Sequence, residues 1–283
     1  QLGRSLVDLL ERSGTSFVTW TKAELDISKK ESIEKVIKSQ SKVLVNCAAY
    51  TAVDRAESEP DQAEAINHLG AAHMAYAARE LKIPFVHIST DYVFSGSKKN
   101  PWFVEDQTRP HSQYGITKLR GENAILSVYP AGSYVLRTAW LYSQYGDNFA
   151  KKILKKGLKH REKIRMVNDQ IGQPTSTIDL ASQIYAVVSQ RPEPGIYHAS
   201  NSGEGTWFDF TKELFNLAGI SESLVIPITS KEFESAATRP AYSVLDGSKW
   251  ETVGMSQMED WRKALHNAFP DILKRVKEEI VNG

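Results

Sequence analysis

Short apolar runs alternate with longer helical patterns through the first half of this chain, and that alternation limits the folds open to it. Four runs rich in Val and Ile predict buried strands, at residues 16–20, 42–49, 84–90 and 133–140. The segments between them carry apolar side chains at the helical repeat, over 29–40, 61–81 and 112–128. This alternation predicts an α/β fold with a doubly wound parallel sheet and helices on both faces.

The pattern changes after residue 143. Further elements are predicted as a Lys-rich helix over 149–160, a helix near 177–190, a strand over 195–201, a helix within 205–219 and an amphipathic helix at about 268–281. Ile272, Val276 and Ile280 share one face of the last helix, which we expect to pack on its own lobe. We predict a dinucleotide-binding Rossmann domain over 1–143, to which 166–200 returns in part, and a smaller, mainly substrate-binding lobe over 144–283.

Composition and charge argue against several classes of function. The 283 residues carry a formal net charge of +1, which gives no reason to expect nucleic acid or a membrane surface as a partner. Cys47 is the single cysteine, so no intrachain disulfide can form and the cytoplasm is the simplest location. No apolar run approaches the roughly 20 residues of a spanning helix, and no histidines and cysteines stand at zinc-ligand spacing. We therefore expect a soluble, cytoplasmic protein and assign no metal ligands.

Tyr114 and Lys118 stand four residues apart at the start of the predicted helix 112–128. That spacing puts both side chains on one helix face. An adjacent ammonium favours the phenolate, so we expect Lys118 to pull the pKa of Tyr114 from its usual value of about 10 toward the working range. About one such pair is expected by chance in a chain of this composition, so by itself the pair is more typical of a solvated helix face.

Ser89, Thr90, Asp91 and Tyr92 follow one another at the end of a predicted buried strand. Ligands of open parallel sheets bind beyond the carboxyl ends of the strands. A hydroxyl there can donate to a substrate carbonyl while a tyrosine delivers the proton, although Thr90 taken alone could equally cap the strand end. With Tyr114, Lys118 and a pyrophosphate-binding turn near Gly3, these residues predict a site for carbonyl reduction.

This set of residues resembles the extended short-chain dehydrogenase/reductase superfamily. Within it, the strings NCAAYTAVDRAESEP, STDYVFSG, YGITKLRGE, RTAWLY, NDQIGQPT and YHASNSGEGTWFDF closely resemble the dTDP-4-dehydrorhamnose reductase family. The likeness covers essentially the whole chain, and STDYVF and DQIGQPT are far more specific than the Tyr–Lys spacing. The resemblance implies reduction of the 4-keto group of a dTDP-4-dehydro-6-deoxy-L-mannose by NADPH or NADH. It also implies a homodimer, and Mg²⁺ through the family alone.

The resemblance implies a role for each matching residue. Tyr114 would protonate the nascent C4 oxygen, Lys118 would tune Tyr114 and hold the nicotinamide ribose, and Thr90 would orient the carbonyl. The implied cofactor-binding positions are Gln1, Leu2, Gly3, Asp26, Ala48, Ala49 and Tyr50. The implied substrate-binding positions are Thr51, Val53, Tyr92, Trp140, Asn168, Asp169 and Gln170. Arg239 is a further candidate, because a guanidinium fork suits a pyrophosphate. Trp140 and Trp207 are equally consistent with ordinary core aromatics, and Asn67 is interpreted as structural.

Two further points bear on the reaction. Lys22 follows the second predicted strand before any acidic residue, which favours the 2′-phosphate of NADPH over NADH. Sugar-nucleotide 4,6-dehydratases carry Asp-Glu after the threonine, whereas this chain has Asp91 and Tyr92, so elimination lacks its second carboxylate. Two alternatives stay open: a non-catalytic subunit like the regulatory subunit of methionine adenosyltransferase, and a reductase of another nucleotide-activated keto-sugar.

The opening residues, QLGRSLVDLLERSG, predict a helix entered through Gly3. By resemblance, Gly3 is the third glycine of a G-x-x-G-x-x-G turn, where glycine lets helix and strand pack closely. We therefore expect the natural protein to begin upstream, with a strand that ends in G-x-x-G.

Overall fold

A computed structural model gives the structure of residues 1–37, 41–160 and 162–282. The helices are α1 (Leu2–Arg12), α2 (Lys30–Val36), α3 (Val53–Ala56), α4 (Pro60–Glu64), α5 (Ala71–Leu81), α6 (Gln113–Val128), α7 (Phe149–His160), α8 (Thr177–Gln190), α9 (Trp207–Leu217), α10 (Lys249–Thr252) and α11 (Trp261–Val281). The strands are β1 (Leu44–Asn46), β2 (Phe85–Thr90), β3 (Ser133–Thr138), β4 (Leu141–Tyr142), β5 (Ile164–Val167), β6 (Ile171–Gly172), β7 (Thr175–Ser176), β8 (Gly195–His198), β9 (Gly205–Thr206) and β10 (Val225–Ile228). The end of the predicted helix 29–40 lies outside the described residues.

The central sheet is parallel, in the order β1-β2-β3-β8. Because successive residues of a strand face opposite sides, Val86 packs with Leu6 of α1 and Leu180 of α8, whereas Phe85 packs with Ile33 of α2 and Ile125 of α6. Helices thus cover both faces, which confirms the predicted α/β architecture. The carboxyl ends of all four strands meet at one edge.

The strand predicted over 16–20 is wrong. These residues adopt no regular structure, and Phe17 and Val18 are 36% and 70% exposed. A strand needs a neighbour for its backbone hydrogen bonds, and in the described part of the chain β1 pairs with β2 alone. Residues 16–20 pair with none of the strands that the structure describes. The strand expected upstream of Gln1 stays a prediction.

The helix predicted over 61–81 is interrupted by a π-helical turn at Ala65–Gly70, between α4 and α5. A π turn holds one more residue than an α turn, and the buried Asn67 lies within it. The Asn67 side chain bonds both backbone groups of Tyr50, accepting at 2.8 Å and donating at 3.1 Å, and donates to Thr117 at 3.2 Å. Asn67 thus ties this helix to the segment after β1 and to α6, which supports its structural interpretation.

The second half of the chain has an apolar core of its own. Leu154 of α7, Phe210 of α9 and Leu265 of α11 are fully buried together. Helix α11 begins at Trp261, seven residues before the predicted start, because Asp260 caps it by accepting from the Arg262 N–H at 2.9 Å. Ile272 and Val276 are buried in this cluster and Ile280 packs against it, which confirms that the last helix packs on its own lobe. None of the helices that the structure describes is both long and apolar enough to cross a membrane.

Candidate active site

The candidate site is built where β2 ends and α6 begins. Ser112 caps α6 by accepting from the Gly115 N–H at 3.2 Å. Gly115 passes so close to the turn after β2 that a Cβ there would lie 2.4 Å from the Tyr92 carbonyl oxygen. This close approach brings the Tyr92 and Tyr114 rings edge to face, with centroids 5.5 Å apart.

Thr90 and Asp91 form the polar floor of this corner. The Thr90 hydroxyl donates to Asp91 Oδ1 at 3.0 Å and accepts from the Tyr92 N–H at 3.2 Å. Thr90 therefore caps the strand end, which is one of the two roles predicted for it. It does so next to Tyr114. Asp91 is 2% exposed. Burial raises the pKa of Asp91 to about 6, although hydrogen bonds from the side chains of Ser243 and Thr90 oppose the rise.

Tyr114 is held as a neutral phenol. Burial raises its pKa to about 12, and the Thr90 hydroxyl opposes that rise. The expected lowering of this pKa by Lys118 is not what the structure shows, because the Lys118 ammonium group points elsewhere. Its Nζ donates to the Ile88 carbonyl at 2.5 Å and lies 3.1 Å from His87 Nε2. Burial also lowers the pKa of Lys118 to about 8, opposed by Glu122.

Sequence reasoning missed two sets of buried polar residues behind Lys118. Glu122 stands one helical turn beyond it and pairs with Arg137 of β3 at 2.7 Å, while Ser89 donates to Glu122 at 2.5 Å. The other set joins Asn46 of β1 to His87 of β2. Glu122 four residues after Lys118 was a readable signal, whereas the strand residues meet only through the sheet register.

The predicted cofactor-binding positions lie around the amino terminus of α1 and the end of β1. A Cβ on Gly3 would lie 3.9 Å from Cys47 Cβ, an ordinary contact, and the close packing of Gly3 on an upstream strand stays a prediction. The Leu2 side chain is buried in the sheet core, so only its backbone could contact a ligand. Ala48 is exposed just beyond β1, and Tyr50 bonds Asn67 and Glu59.

Lys22 and Asp26 lie apart from that group, on the segment before α2. Lys22 is exposed. The Asp26 carboxylate accepts from the Ser28 hydroxyl at 2.7 Å and from its N–H at 3.1 Å, and these bonds lower the pKa of Asp26. Its carboxylate thus already closes a local turn.

The Arg239 side chain pairs with a different group from the one predicted. Its guanidinium donates to both carboxylate oxygens of Asp54, at 3.1 and 2.7 Å. Asp54 also accepts from the Ala237 N–H at 3.1 Å. Because Asp54 lies on α3, directly after Val53 and three residues after Thr51, these bonds bring the 237–239 loop from the second half of the chain to the first.

The other predicted substrate positions fall into two groups. Trp140 follows β3 with a φ of +45° and stacks on Trp207 at a centroid distance of 3.6 Å. A left-handed backbone in a bulky residue is strained, and such strain collects at functional sites. Asn168 and Asp169 instead bond the 228–230 loop, through the Asn168 N–H to Ile228 and through Asp169 to Ser230, and Gln170 follows them half-buried. In the described residues, no group of three or more His, Cys, Asp or Glu could hold a metal ion.

Comparison with known proteins assigns the family. Residues 1–274 match the family described as the RmlD substrate binding domain. The chain belongs to this RmlD family. A dTDP-4-dehydrorhamnose reductase of Streptomyces griseus is 40% identical over 97% of this chain and 91% of its own. A dTDP-4-keto-6-deoxy-D-glucose reductase of Streptomyces niveus is 38% identical over 95% of this chain and 93% of its own.

A solved structure gives the same result. The crystal structure of dTDP-4-dehydrorhamnose reductase from Bacillus anthracis in complex with NADP is 35% identical, with a TM-score of 0.91 over 96% of this chain and 95% of that one. The resemblance read from the sequence is thereby confirmed. The RmlD-family chain is an enzyme of the NAD(P)-dependent dTDP-4-dehydrorhamnose reductase family.

Proposed function

We propose that this enzyme reduces the 4-keto group of dTDP-4-dehydro-6-deoxy-L-mannose to give dTDP-L-rhamnose, with NADPH as the preferred cofactor. One observation carries the proposal: Thr90 and Tyr114 converge at the carboxyl edge of the sheet with Tyr114 held protonated. A phenol with a pKa of about 12 keeps its proton at neutral pH, and a reductase needs that form to protonate an alkoxide.

The residues around α1 fit a dinucleotide. The helix has 11 residues and no acidic side chain in its first turn, so its amino terminus offers backbone N–H groups to a pyrophosphate without a competing carboxylate. Gly3, Ala48 and Ala49 would lie along the cofactor and Lys22 would meet its 2′-phosphate. When bound, the reduced nicotinamide supplies a hydride to C4 of the sugar.

The chain's own residues supply the rest of the chemistry. Thr90 orients the ketone oxygen, and the Tyr114 hydroxyl transfers its proton to that oxygen as C4 is reduced. We assign Arg239 to the substrate pyrophosphate, which would replace Asp54 as the partner of the guanidinium. The sugar and nucleotide pocket would be lined by Tyr92, Thr51, Val53, Trp140 and Gln170. Residues 1–143 would hold the cofactor, and residues 144–283 would cover the substrate.

The names of the similar proteins support a second candidate substrate. The Streptomyces niveus protein, named for a dTDP-4-keto-6-deoxy-D-glucose, is nearly as similar as the Streptomyces griseus one, at 38% against 40% identity. Both names describe reduction of a dTDP-linked 4-keto-sugar, so this chemistry is common to the two candidates. The configuration of the sugar is what separates them. A non-catalytic role is disfavoured by the presence of Thr90, Tyr114 and Lys118 together.

The test is NADPH oxidation with each of the two dTDP-4-keto-sugars, with the product identified by NMR. We expect turnover with dTDP-4-dehydro-6-deoxy-L-mannose, and a loss of roughly 10²–10⁴-fold in kcat for Tyr114→Phe, since the proton donor is removed. Tyr76→Phe, on the exposed face of α5, is the matched control and should keep full activity. No turnover with either sugar, or an unimpaired Tyr114→Phe enzyme, would contradict the proposal.

A further inference from the structure

The hydroxyl group of Thr90 has a single hydrogen, and Asp91 already accepts it. The two side chains belong to residues that are 4% and 2% exposed. The hydroxyl donates to Asp91 Oδ1 at 3.0 Å, and its oxygen accepts from the Tyr92 N–H at 3.2 Å. A threonine hydroxyl has one hydrogen and two lone pairs. One lone pair of Thr90 is therefore left for a further donor, and no hydrogen is left for a further acceptor.

The proposed reaction makes a different demand on this hydroxyl. A ketone oxygen is an acceptor, so Thr90 can orient it only by donating the hydrogen that Asp91 now accepts. If that hydrogen turned to the ketone while Asp91 stayed ionised, Oγ1 and Oδ1 would face each other at 3.0 Å with no hydrogen between them. Both atoms are buried, so bulk water does not weaken the repulsion between them.

A protonated Asp91 removes this conflict. Its carboxyl O–H donates to the remaining lone pair of Thr90, the Tyr92 N–H keeps the other, and the Thr90 hydrogen is released. We propose that Asp91 is a positioning residue for Thr90: when the ketone binds, Asp91 takes up one proton from solvent and donates to Thr90, which then donates to the ketone oxygen. The inference rests on the proposed function, because it requires a keto-sugar at Thr90.

The groups that face Asp91 accommodate both of its forms. Tyr92 follows it in the chain and Tyr114 lies on α6, and burial raises the pKa of both phenols, so both keep their protons at neutral pH. Ser243, from the second half of the chain, is 1% exposed. Its hydroxyl, which bonds the carboxylate, can also accept from a carboxylic acid. Proton uptake therefore leaves none of these groups with an unsuitable partner.

Two charged side chains near this corner are engaged with other groups. Lys118 of α6 donates to a backbone carbonyl of β2, and Arg239 pairs with Asp54. Burial raises the pKa of Asp91 to about 6, so the carboxyl is mostly ionised in the free enzyme at neutral pH. The cost of protonating a group with this pKa at pH 7 is only about 1.4 kcal/mol. The hydrogen bonds gained at Thr90 can supply that amount.

Binding of the ketone should therefore depend on pH. Because the ketone binds the protonated form, the pKa of Asp91 is higher in the complex than its value of about 6 in the free enzyme. Affinity for the ketone is full below that value and falls as the pH rises through it, by up to about tenfold per pH unit. An alcohol at C4 makes no such demand, since its own O–H can donate to Thr90 while Asp91 stays ionised.

The test is isothermal titration calorimetry of the wild-type enzyme with dTDP-4-dehydro-6-deoxy-L-mannose, without cofactor so that no reduction occurs. Titrations at pH 7 in buffers of different ionisation enthalpy give the number of protons taken up. We expect about 0.9 proton per ketone bound, because a group with a pKa of about 6 is about nine-tenths ionised at pH 7. The matched ligand is dTDP-L-rhamnose, which has a hydroxyl at C4 and should take up almost no proton.

Asp91→Asn replaces the acid by an amide that can donate to Thr90 without a change of charge. We expect its Kd for the keto-sugar to be constant between about pH 5.5 and pH 8, whereas the wild-type Kd rises. Asp147→Asn, at an exposed carboxylate, should keep the wild-type dependence. Should Asp91→Asn not fold, Thr90→Val removes the hydroxyl that links the ketone to Asp91 and should abolish the proton uptake.

The outcomes separate this inference from the proposed function. Equal proton uptake by the keto-sugar and the alcohol would overturn the positioning role and leave the reductase function intact. A pH-dependent Kd that persists in Asp91→Asn would do the same. Failure of both sugars to bind, with or without NADP⁺, would overturn the two together.

Discussion

At the scale of single residues, Asp91 is a carboxyl group whose charged form is disfavoured by burial. It is buried, and burial raises its pKa to about 6 in the folded protein against the opposing effect of hydrogen bonds from Ser243 and Thr90, compared with about 4 in the unfolded chain. The folded state thus binds a proton more tightly than the unfolded state. Its stability is greatest below pH 4 in this respect and is lost as the pH rises through about 6.

Asp91→Asn should therefore stabilise the protein at neutral pH. We expect its free energy of unfolding relative to wild type to rise by about 2–3 kcal/mol between pH 4 and pH 7, because the amide has no charge to desolvate. Denaturant melts at the two pH values measure this. Asp147→Asn, at an exposed carboxylate, is the control and should show no comparable trend. A relative stability that is the same at both pH values would contradict the assignment.

At the scale of elements, α6 depends on its close crossing with the π turn. A Cβ on Gly121 would lie 2.2 Å from the Asn67 carbonyl oxygen, which is backbone and cannot rotate away. Alanine is otherwise favoured over glycine in a helix by about 1 kcal/mol. The close crossing therefore favours glycine at position 121, whereas helix propensity by itself would favour alanine there.

We expect Gly121→Ala to destabilise the protein by about 1–3 kcal/mol, since overpacking outweighs the gain in helix propensity. Gly3→Ala in α1 is the matched control, because its nearest neighbour would be an ordinary contact at 3.9 Å. That variant should be neutral or slightly stabilising. Chemical denaturation of the two variants compares them, and equal effects would show that the crossing is not tight.

At the scale of the whole molecule, the bond between Arg239 and Asp54 joins the two halves of the chain. The two side chains are 20% and 48% exposed, so the pair should contribute no more than about 1 kcal/mol to stability. Its position beside Tyr92, whose pKa Arg239 lowers against the larger effect of burial, suits a role in substrate binding better than one in folding.

Arg239→Gln should raise KM for the nucleotide-sugar by roughly 10–100-fold, the worth of hydrogen bonds to a charged group, and change the melting temperature little. Asp54→Asn breaks the same pair but keeps the guanidinium, so its KM should not rise. Steady-state kinetics of the two variants decide the matter. A similar rise in both would mean that the ion pair itself, and not the free guanidinium, holds the pocket.

Much of the fold was readable from the sequence because it rests on local patterns. The apolar runs of β2 and β3 and the helical repeat of α6 predicted elements close to those observed, and strand–helix alternation predicted the parallel sheet. The strand at 16–20 failed because a strand requires a partner that its own residues do not reveal. The π turn at Asn67 was missed because it arises from the crossing with α6.

The sequence by itself determined which residues could carry the chemistry: a strand ending in Thr90, and Tyr114 with Lys118 on one helix face. Their spacing along the chain sets these relations through the helical and strand repeats. Only the tertiary structure decided their protonation and their partners. Burial raised the pKa of Tyr114, and the register of β1 and β2 placed Asn46 and His87 behind Lys118. The packing of the 237–239 loop paired Arg239 with Asp54. Those effects depend on desolvation and on contacts between distant residues, which no local pattern encodes.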